Sequence, residues 1–272
     1  MSVEETIQSY YDRENEDDRL KSSEGVIELY RTQVIIGRYL TSRTLKVLDV
    51  GGGTGPYSFW LSDAGHEVHL LDPVGKHIRL ASERNEKERN KLASLRIGEA
   101  GNLPFPDSES DLLLLMGPLY HLYEPKERLT ALAEANRVLR SNGLLVSTHI
   151  SRFASLLDGY RSDFICDPEF QSIVFDDLAT GKHRGSADGT TKYFTKAYLQ
   201  RPDEIAIEAT AAGFSVIELL PLESFAWMIP NVSKYWNDTI QRDILLKAIA
   251  LVEKETSIIG VSPHLMLICR KE

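Results

Sequence analysis

The residues best placed for chemistry lie in VLDVGGGTGPY, where Asp49 precedes Gly51, Gly52, Gly53 and Gly55. Glycines at alternate positions allow a tight strand-to-helix turn and leave no Cβ between a ligand and the backbone. The spacing is GxGxG; a dinucleotide turn, GxGxxG, would need its third glycine where Pro56 stands. A carboxylate two residues ahead of the turn can order loop amides or accept from an ammonium, and it is a poor neighbour for pyrophosphate. The expected ligand is cationic or zwitterionic; the alternative is a packing turn with no ligand. Twenty-one residues after Gly51, Asp72 ends the apolar run in HLLDP. Its carboxylate can accept from both hydroxyls of a ribose or cap a helix starting near Gly75, and the two roles are compatible. In GEAGNLPF, Glu99 or the backbone of Ala100 can receive an exocyclic amine, with Leu103 over the ring face.

His121 in GPLYHL, with an ordinary pKa near ~6.5, can serve as a general base or simply hydrogen-bond its own loop. Tyr120 adjoins it. Tyr10, Tyr11, Tyr160, Tyr193, Tyr198 and Trp227 offer faces to a cation or a flat acceptor, with core packing as the alternative for each. The seven histidines are dispersed, and HEVH at 66–69 alternates along a strand with no third ligand, so no metal site is expected. Cys166 and Cys269 read as reduced thiols, Cys269 as a buried small hydrophobe.

These groups need a scaffold, and residues 45–150 supply its pattern. Strand-length apolar runs (LKVLDV, EVHLLD, SLRIG, DLLLLM, GLLVSTHI) alternate with helix-length segments. That alternation, with runs apolar throughout, is the signature of a doubly wound α/β domain built on a parallel sheet. The helix KERLTALAEANRVLR is expected to end at Arg140, with Asn142 and Gly143 turning the chain. Residues 1–44 form a helical N-terminal arm, with an amphipathic helix from Gly25 to Leu40. Residues 151–200 and 224–262 read as insertions: the first is helical at Arg152–Tyr160 and turn-rich beyond, the second carries a helix over Thr239–Glu253. Between and after them, a helix at Pro202–Ala212, a strand at FSVIELL and a closing strand HLMLIC complete one domain over residues 1–272.

The chain has 272 residues, 42% hydrophobic and 26% charged, with a formal net charge of -9, so its average field repels polyanions. No nucleic-acid partner and no membrane association are expected, and the absence of a basic, apolar leader makes cytoplasmic residence the default.

Taken together, the motifs resemble the class I S-adenosylmethionine-dependent methyltransferases. VLDVGGGTG is similar to their first motif, HLLDP to the acidic second, GEAGNLPFPDSESDLLLLMGPLYHL to the third and fourth, and EANRVLRSNGLLVSTH to the helix and strand that follow. The likeness covers roughly residues 45–150, and HLMLIC more weakly; GPLYHL, SRFASLLDGY and YFTKAYL look like a bacterial small-molecule subgroup. It implies a Rossmann-like seven-stranded sheet, mostly parallel with an antiparallel last strand, and helical insertions forming a lid that carries Arg152 and His183. It implies S-adenosyl-L-methionine as cofactor. Gly51, Gly53 and Gly55 would line its amino-acid moiety, Asp72 its ribose and Glu99 with Ala100 its adenine. Met116, Gly117 and Leu119 would pass beneath the sulfonium. Asp49, Gly52 and Pro73 belong to the same set, Tyr11 would reach the site from the arm, and Arg31 would either pair with the cofactor carboxylate or face solvent. The implied activity is methyl transfer to an O, N or S atom of a small organic acceptor, with His121 and Tyr120 at the reacting end. An RNA or protein methyltransferase, a nucleotide-dependent oxidoreductase and a non-catalytic cofactor sensor are the alternatives. Monomer and homodimer both stay open.

Overall fold

The computed structural model describes residues 19, 20, 22, 25–186, 190 and 192–272. Helix α1 (Gly25–Gly37) leads into the alternation β1 (Lys46–Val50), α2 (Pro56–Asp63), β2 (Glu67–Asp72), α3 (Gly75–Lys87), β3 (Ser94–Ile97), β4 (Ser110–Leu115), the short α4 (Pro118–His121), α5 (Pro125–Val138) and β5 (Leu139–Ile150). After it come α6 (Ala154–Arg161), α7 (Pro168–Thr180), the two-residue strands β6 (Lys182–His183) and β7 (Ala197–Tyr198), α8 (Pro202–Ala211) and β8 (Phe214–Pro221). The chain continues through α9 (Ser233–Trp236) and α10 (Thr239–Val252) into β9 (His264–Lys271). Seven strands form one sheet in the order β3-β2-β1-β4-β5-β9-β8. β1 to β5 pair in parallel, while β9 runs antiparallel to both β5 and β8.

The period-two pleat sorts the apolar runs onto two faces. Leu48, Val50, Leu113, Leu115, Leu265 and Leu267 point to one side, against Ala131, Ala135 and Val138 of α5 and Ile205 and Ala209 of α8. Val47, Leu112, Leu114, Met266 and Ile268 point to the other, against Ile35 and Ile36 of α1 and Tyr57, Phe59 and Leu61 of α2. Strands covered on both faces have no polar side to show, which is why they read as unbroken apolar runs.

Several readings differ from the structure, beginning with α1, which ends at Gly37, short of Leu40. α5 stops at Val138, not Arg140. Its last carbonyls are taken up by the segment entering β4: Ser108 N and Glu109 N donate to Arg137 O and Val138 O, and Ser110 Oγ donates to Val138 O. Residues 139–143 then join β5, with Asn142 at φ 64° absorbing a register shift between Ser110↔Leu139 and Leu112↔Leu144. The turn-rich reading of the first insertion also missed α7. Its signals are local: Asp167 accepts from Glu169 N, Pro168 opens the helix, Phe170, Ile173 and Val174 keep the helical spacing, and Gly181 at φ 77° ends it. No described helix is long and apolar enough to cross a membrane.

Candidate functional site

β1 lies between β2 and β4, so its C-terminal end opens where neighbouring connections diverge to opposite faces of the sheet. The glycine turn sits there. Gly51, Gly53 and Gly55 have φ of 71°, 60° and 86°, a region that side chains on L-residues resist. They differ in surroundings. A Cβ on Gly51 would fall 2.4 Å from Pro118 Cγ, and one on Gly52 2.6 Å from the Asp49 carboxylate, whereas one on Gly53 would meet nothing within 4 Å. The turn is packed from below and open at its middle glycine.

Asp72 ties this turn to the next. Its Oδ2 accepts from Gly53 N at 2.8 Å, and its Oδ1 accepts from Val74 N at 2.9 Å and faces His77 Nδ1 at 3.0 Å. Both carboxylate oxygens are therefore engaged in holding the loop, with lone pairs left over for a ligand. Pro73 beside it is exposed. Asp49 is fully buried below the turn: Oδ2 accepts from Ser58 Oγ at 2.6 Å, and Oδ1 has no partner. Burial, reinforced by the Asp72 charge and opposed by Ser58, raises its pKa to about 6. An orphaned anionic oxygen beneath an open glycine suits a ligand that brings a cation, as the ammonium of an amino acid does.

The Asp49 shift has a measurable sign. Its folded pKa lies above the ordinary carboxylate value, so the folded chain holds the extra proton at low pH and loses that advantage as pH rises through about 6. Asp49→Asn is thus expected to stabilise the ligand-free protein by about 2 kcal/mol near pH 8 and by much less near pH 4. Thermal melts at both pH values check this, and a gain that does not change with pH contradicts it.

At the end of β4, Met116 and Gly117 are half-buried, and Thr148 Oγ1 donates to Met116 O at 2.7 Å. A Cβ on Gly117 would stand 3.5 Å from both Gly51 O and the Tyr120 hydroxyl, so Tyr120 reaches back to the glycine turn. Leu119, expected beneath a sulfonium, instead packs its side chain into the core among Leu115, Ala131 and Leu132, because the short α4 turns that position inward. Glu99 is exposed, and Ala100 is buried in the same core as Leu103. His121 Nδ1 lies 3.3 Å from Lys196 O, an acceptor only, which assigns the proton to Nδ1 and the lone pair to Nε2. Burial lowers its pKa to about 4 against the Lys196 carbonyl and Asp72, so the ring is neutral at neutral pH.

Other expected site residues are employed elsewhere. Arg31 is buried, pairing with Glu253 at 2.6 Å and donating to Leu222 O; the need to neutralise a buried guanidinium turns it toward α10 and away from the glycine turn. Arg152 pairs with Glu204 and donates to Leu199 O, Tyr160 is exposed, and Tyr198 lies under the Arg128 guanidinium. Tyr10 and Tyr11 lie outside the described residues.

Beyond Tyr120 opens a cavity of about 490 Å³. Tyr120, Phe164, Tyr193, Phe194 and Trp227 give it aromatic walls. His183 also borders it, held by Asp177 at Nδ1 and Tyr193 O at Nε2; His121 does not, and stacks behind Phe194. One wall is charged: Arg19 forks onto Glu28, and His264 Nδ1 lies 2.6 Å from Glu223 Oε1. None of Glu28, Glu223 and His264 stood out in the sequence. Because β8 and β9 are antiparallel, the end of one meets the start of the other, with Pro221 opposite Leu265. Recognising that pairing would have brought Glu223 and His264 together.

Residues 48–147 match the family model for a methyltransferase domain. Over 173 residues the chain is 30% identical to the ubiquinone/menaquinone biosynthesis C-methyltransferase UbiE of Bordetella avium, spanning 62% of each chain. Over 118 residues it is 34% identical to the glycine/sarcosine N-methyltransferase of Parasynechococcus marenigrum, covering 42% of this chain and 40% of that one. The match thus spans less than two thirds of these relatives' length. In fold it is similar to a SAM-dependent methyltransferase of Methanosarcina mazei, with a TM-score of 0.59 at 20% identity over 87% of this chain and 96% of that one. The strand order with its antiparallel β9 gives the chain a fold similar to that of SAM-dependent methyltransferases, and residues 48–147, which hold the open glycine turn, match a methyltransferase domain.

Proposed function

We propose that this chain transfers a methyl group from S-adenosyl-L-methionine to a small organic acceptor. The observation that carries this reading is the adjacency of two sites through one residue: Tyr120 lies beside Gly117 and Gly51 at the glycine turn and also lines the cavity of about 490 Å³, a volume suited to a small molecule. Residues 151–200 and 224–262, which contribute Phe164, Phe194 and Trp227, would act as the lid, with Arg19 and Glu28 closing it from the arm.

When bound, the cofactor supplies an electrophilic methyl group on a sulfonium sulfur. The chain would do the rest by placement. Gly53 would give its main chain room to approach, Asp49 Oδ1 would accept from its ammonium, and Asp72 would receive ribose hydroxyls on its remaining lone pairs. Glu99 and the Ala100 backbone would face the adenine, and Met116 and Gly117 would border the sulfur. Aligning an acceptor atom with the methyl carbon and keeping water out is where most of the acceleration in such a displacement arises. His121, neutral and behind Phe194, would back that wall of the cavity without taking a proton from the acceptor.

Calorimetry with S-adenosylhomocysteine and with NAD, followed by single-turnover assays with methyl-labelled cofactor across small acids, phenols and amines, tests the proposal. Uptake of the homocysteine compound and label transfer to a small acceptor are expected. NAD uptake in its place, or cofactor binding with no transfer to any acceptor class, overturns it.

A further inference from the structure

The charged wall of the cavity carries information about the acceptor that the glycine turn does not. Its groups come from three distant segments: Arg19 and Glu28 from the arm, Glu223 after β8, and His264 at the start of β9. Glu28 is occupied by the Arg19 guanidinium, at 2.5 and 2.9 Å. Glu223 Oε1 faces His264 Nδ1, and Oε2 accepts from Ser262 Oγ at 3.0 Å and from His264 N at 3.3 Å. Glu28 Oε2 stands a further 3.8 Å from His264 Nδ1. The imidazole is thus backed by two carboxylates on its Nδ1 side, and Nε2 has no hydrogen-bond partner among the described residues. Burial pulls its pKa down, but Glu223 and Glu28 outweigh burial and raise it to about 9.

From these contacts we infer that the cavity selects a small aromatic monoanion, such as an arene carboxylate, whose oxygen accepts from His264 Nε2–H while its ring lies among Tyr120, Phe194 and Trp227. This deepens the proposed function and rests on it. The other cations of the lining are paired, Lys192 with Asp167, Arg161 with Asp158 and Arg19 with Glu28, so the donor they leave for an anion's oxygen is His264 Nε2–H. The same contacts disfavour a metal ion. Glu28, Glu223 and His264 each place one ligand atom within 4.8 Å of the others, but a cation there would have to displace the proton on Nδ1 and face the Arg19 guanidinium.

The test compares benzoate, benzamide and benzylamine, which share a ring and differ in charge, by calorimetry on the full chain saturated with S-adenosylhomocysteine. Benzoate is expected to bind roughly tenfold or more tighter than benzamide, the difference a charge-assisted hydrogen bond makes, with benzylamine weakest. His264→Gln, which keeps a neutral donor, should bring benzoate down to the level of benzamide and leave S-adenosylhomocysteine affinity unchanged. Should that variant fail to fold, the wild-type series still decides. Equal affinities, a preference for the amine, or no uptake of any probe overturns the inference, as does benzoate binding that requires added zinc. The series can also be run without S-adenosylhomocysteine, so failed cofactor uptake with intact benzoate selectivity counts against the methyltransferase reading and not against the anion site.

Discussion

Gly53→Ala is expected to lower affinity for S-adenosylhomocysteine by about a hundredfold while costing the fold only about 1 kcal/mol. The two effects separate because of where the methyl group would go. At φ 60° the residue sits in the left-handed region, so any side chain carries a modest backbone penalty. The added Cβ strikes no protein atom within 4 Å, so there is no packing penalty on top. It projects instead into the space the turn leaves open, where a bound ligand would have to yield. Gly51→Ala should behave in the opposite way. Its φ of 71° is similar, but its Cβ would lie 2.4 Å from Cγ and 2.7 Å from Cδ of Pro118, a rigid ring that cannot swing aside. A loss of several kcal/mol in stability is expected there, read as a drop in the urea midpoint. Calorimetry and denaturation on the two variants check the pair. If Gly53→Ala binds as well as the parent, the open side of the turn is not where the ligand lies.

That contrast shows how far the residue string could be read. Three alternating glycines after an apolar strand announce positive φ and a close approach, and both follow from local geometry. Which glycine is packed and which is open depends on Pro118, sixty-seven residues downstream of Gly51, and no local pattern carries that. Asp72 could be read as an acid at a strand end with local contacts to Val74 and His77, yet its contact to Gly53 arises only when β1 and β2 lie side by side. The parallel core was legible because burial on both faces leaves continuous apolar runs. α7 was missed because polar residues in FDDLAT masked a helical stripe that its cap and C-terminal glycine would have revealed. Arg31 looked available because a helical Arg carries no mark of its partner, and Glu253 lies in an insertion whose packing on α1 is a tertiary fact. The charged cavity wall was invisible for the same reason: the antiparallel docking of β9 against β8 joins Glu223 to His264, and the arm brings Arg19 and Glu28 to them.

Arg128 offers the largest expected effect on stability, and it reaches the site. Only 1% exposed, it donates through Nε and Nη2 to both oxygens of Glu208, at 2.7 to 3.1 Å, and through Nη1 to Leu122 O at 2.9 Å and Tyr123 O at 3.1 Å. Its guanidinium also lies 3.8 Å from the centre of the Tyr198 ring. One side chain thereby joins α5 to α8 and ties down the two residues that follow His121. Arg128→Ala would leave Glu208 with Gln200 Nε2 as its one remaining described hydrogen-bond donor and would orphan two carbonyls. A loss of about 3–5 kcal/mol is expected, since stranding one partner of a buried ion pair costs far more than the pair itself contributes. Arg128→Met combined with Glu208→Leu should recover most of that loss by removing both charges at similar volume. Yet the double variant should remain impaired in S-adenosylhomocysteine binding, because nothing in it holds the Leu122 and Tyr123 carbonyls that set the end of α4, where Tyr120 turns back toward Gly51. Urea denaturation and calorimetry on the single and double variants separate the two consequences. Recovery of stability together with full affinity would mean that the Arg128 contacts to α4 play no part in shaping the site.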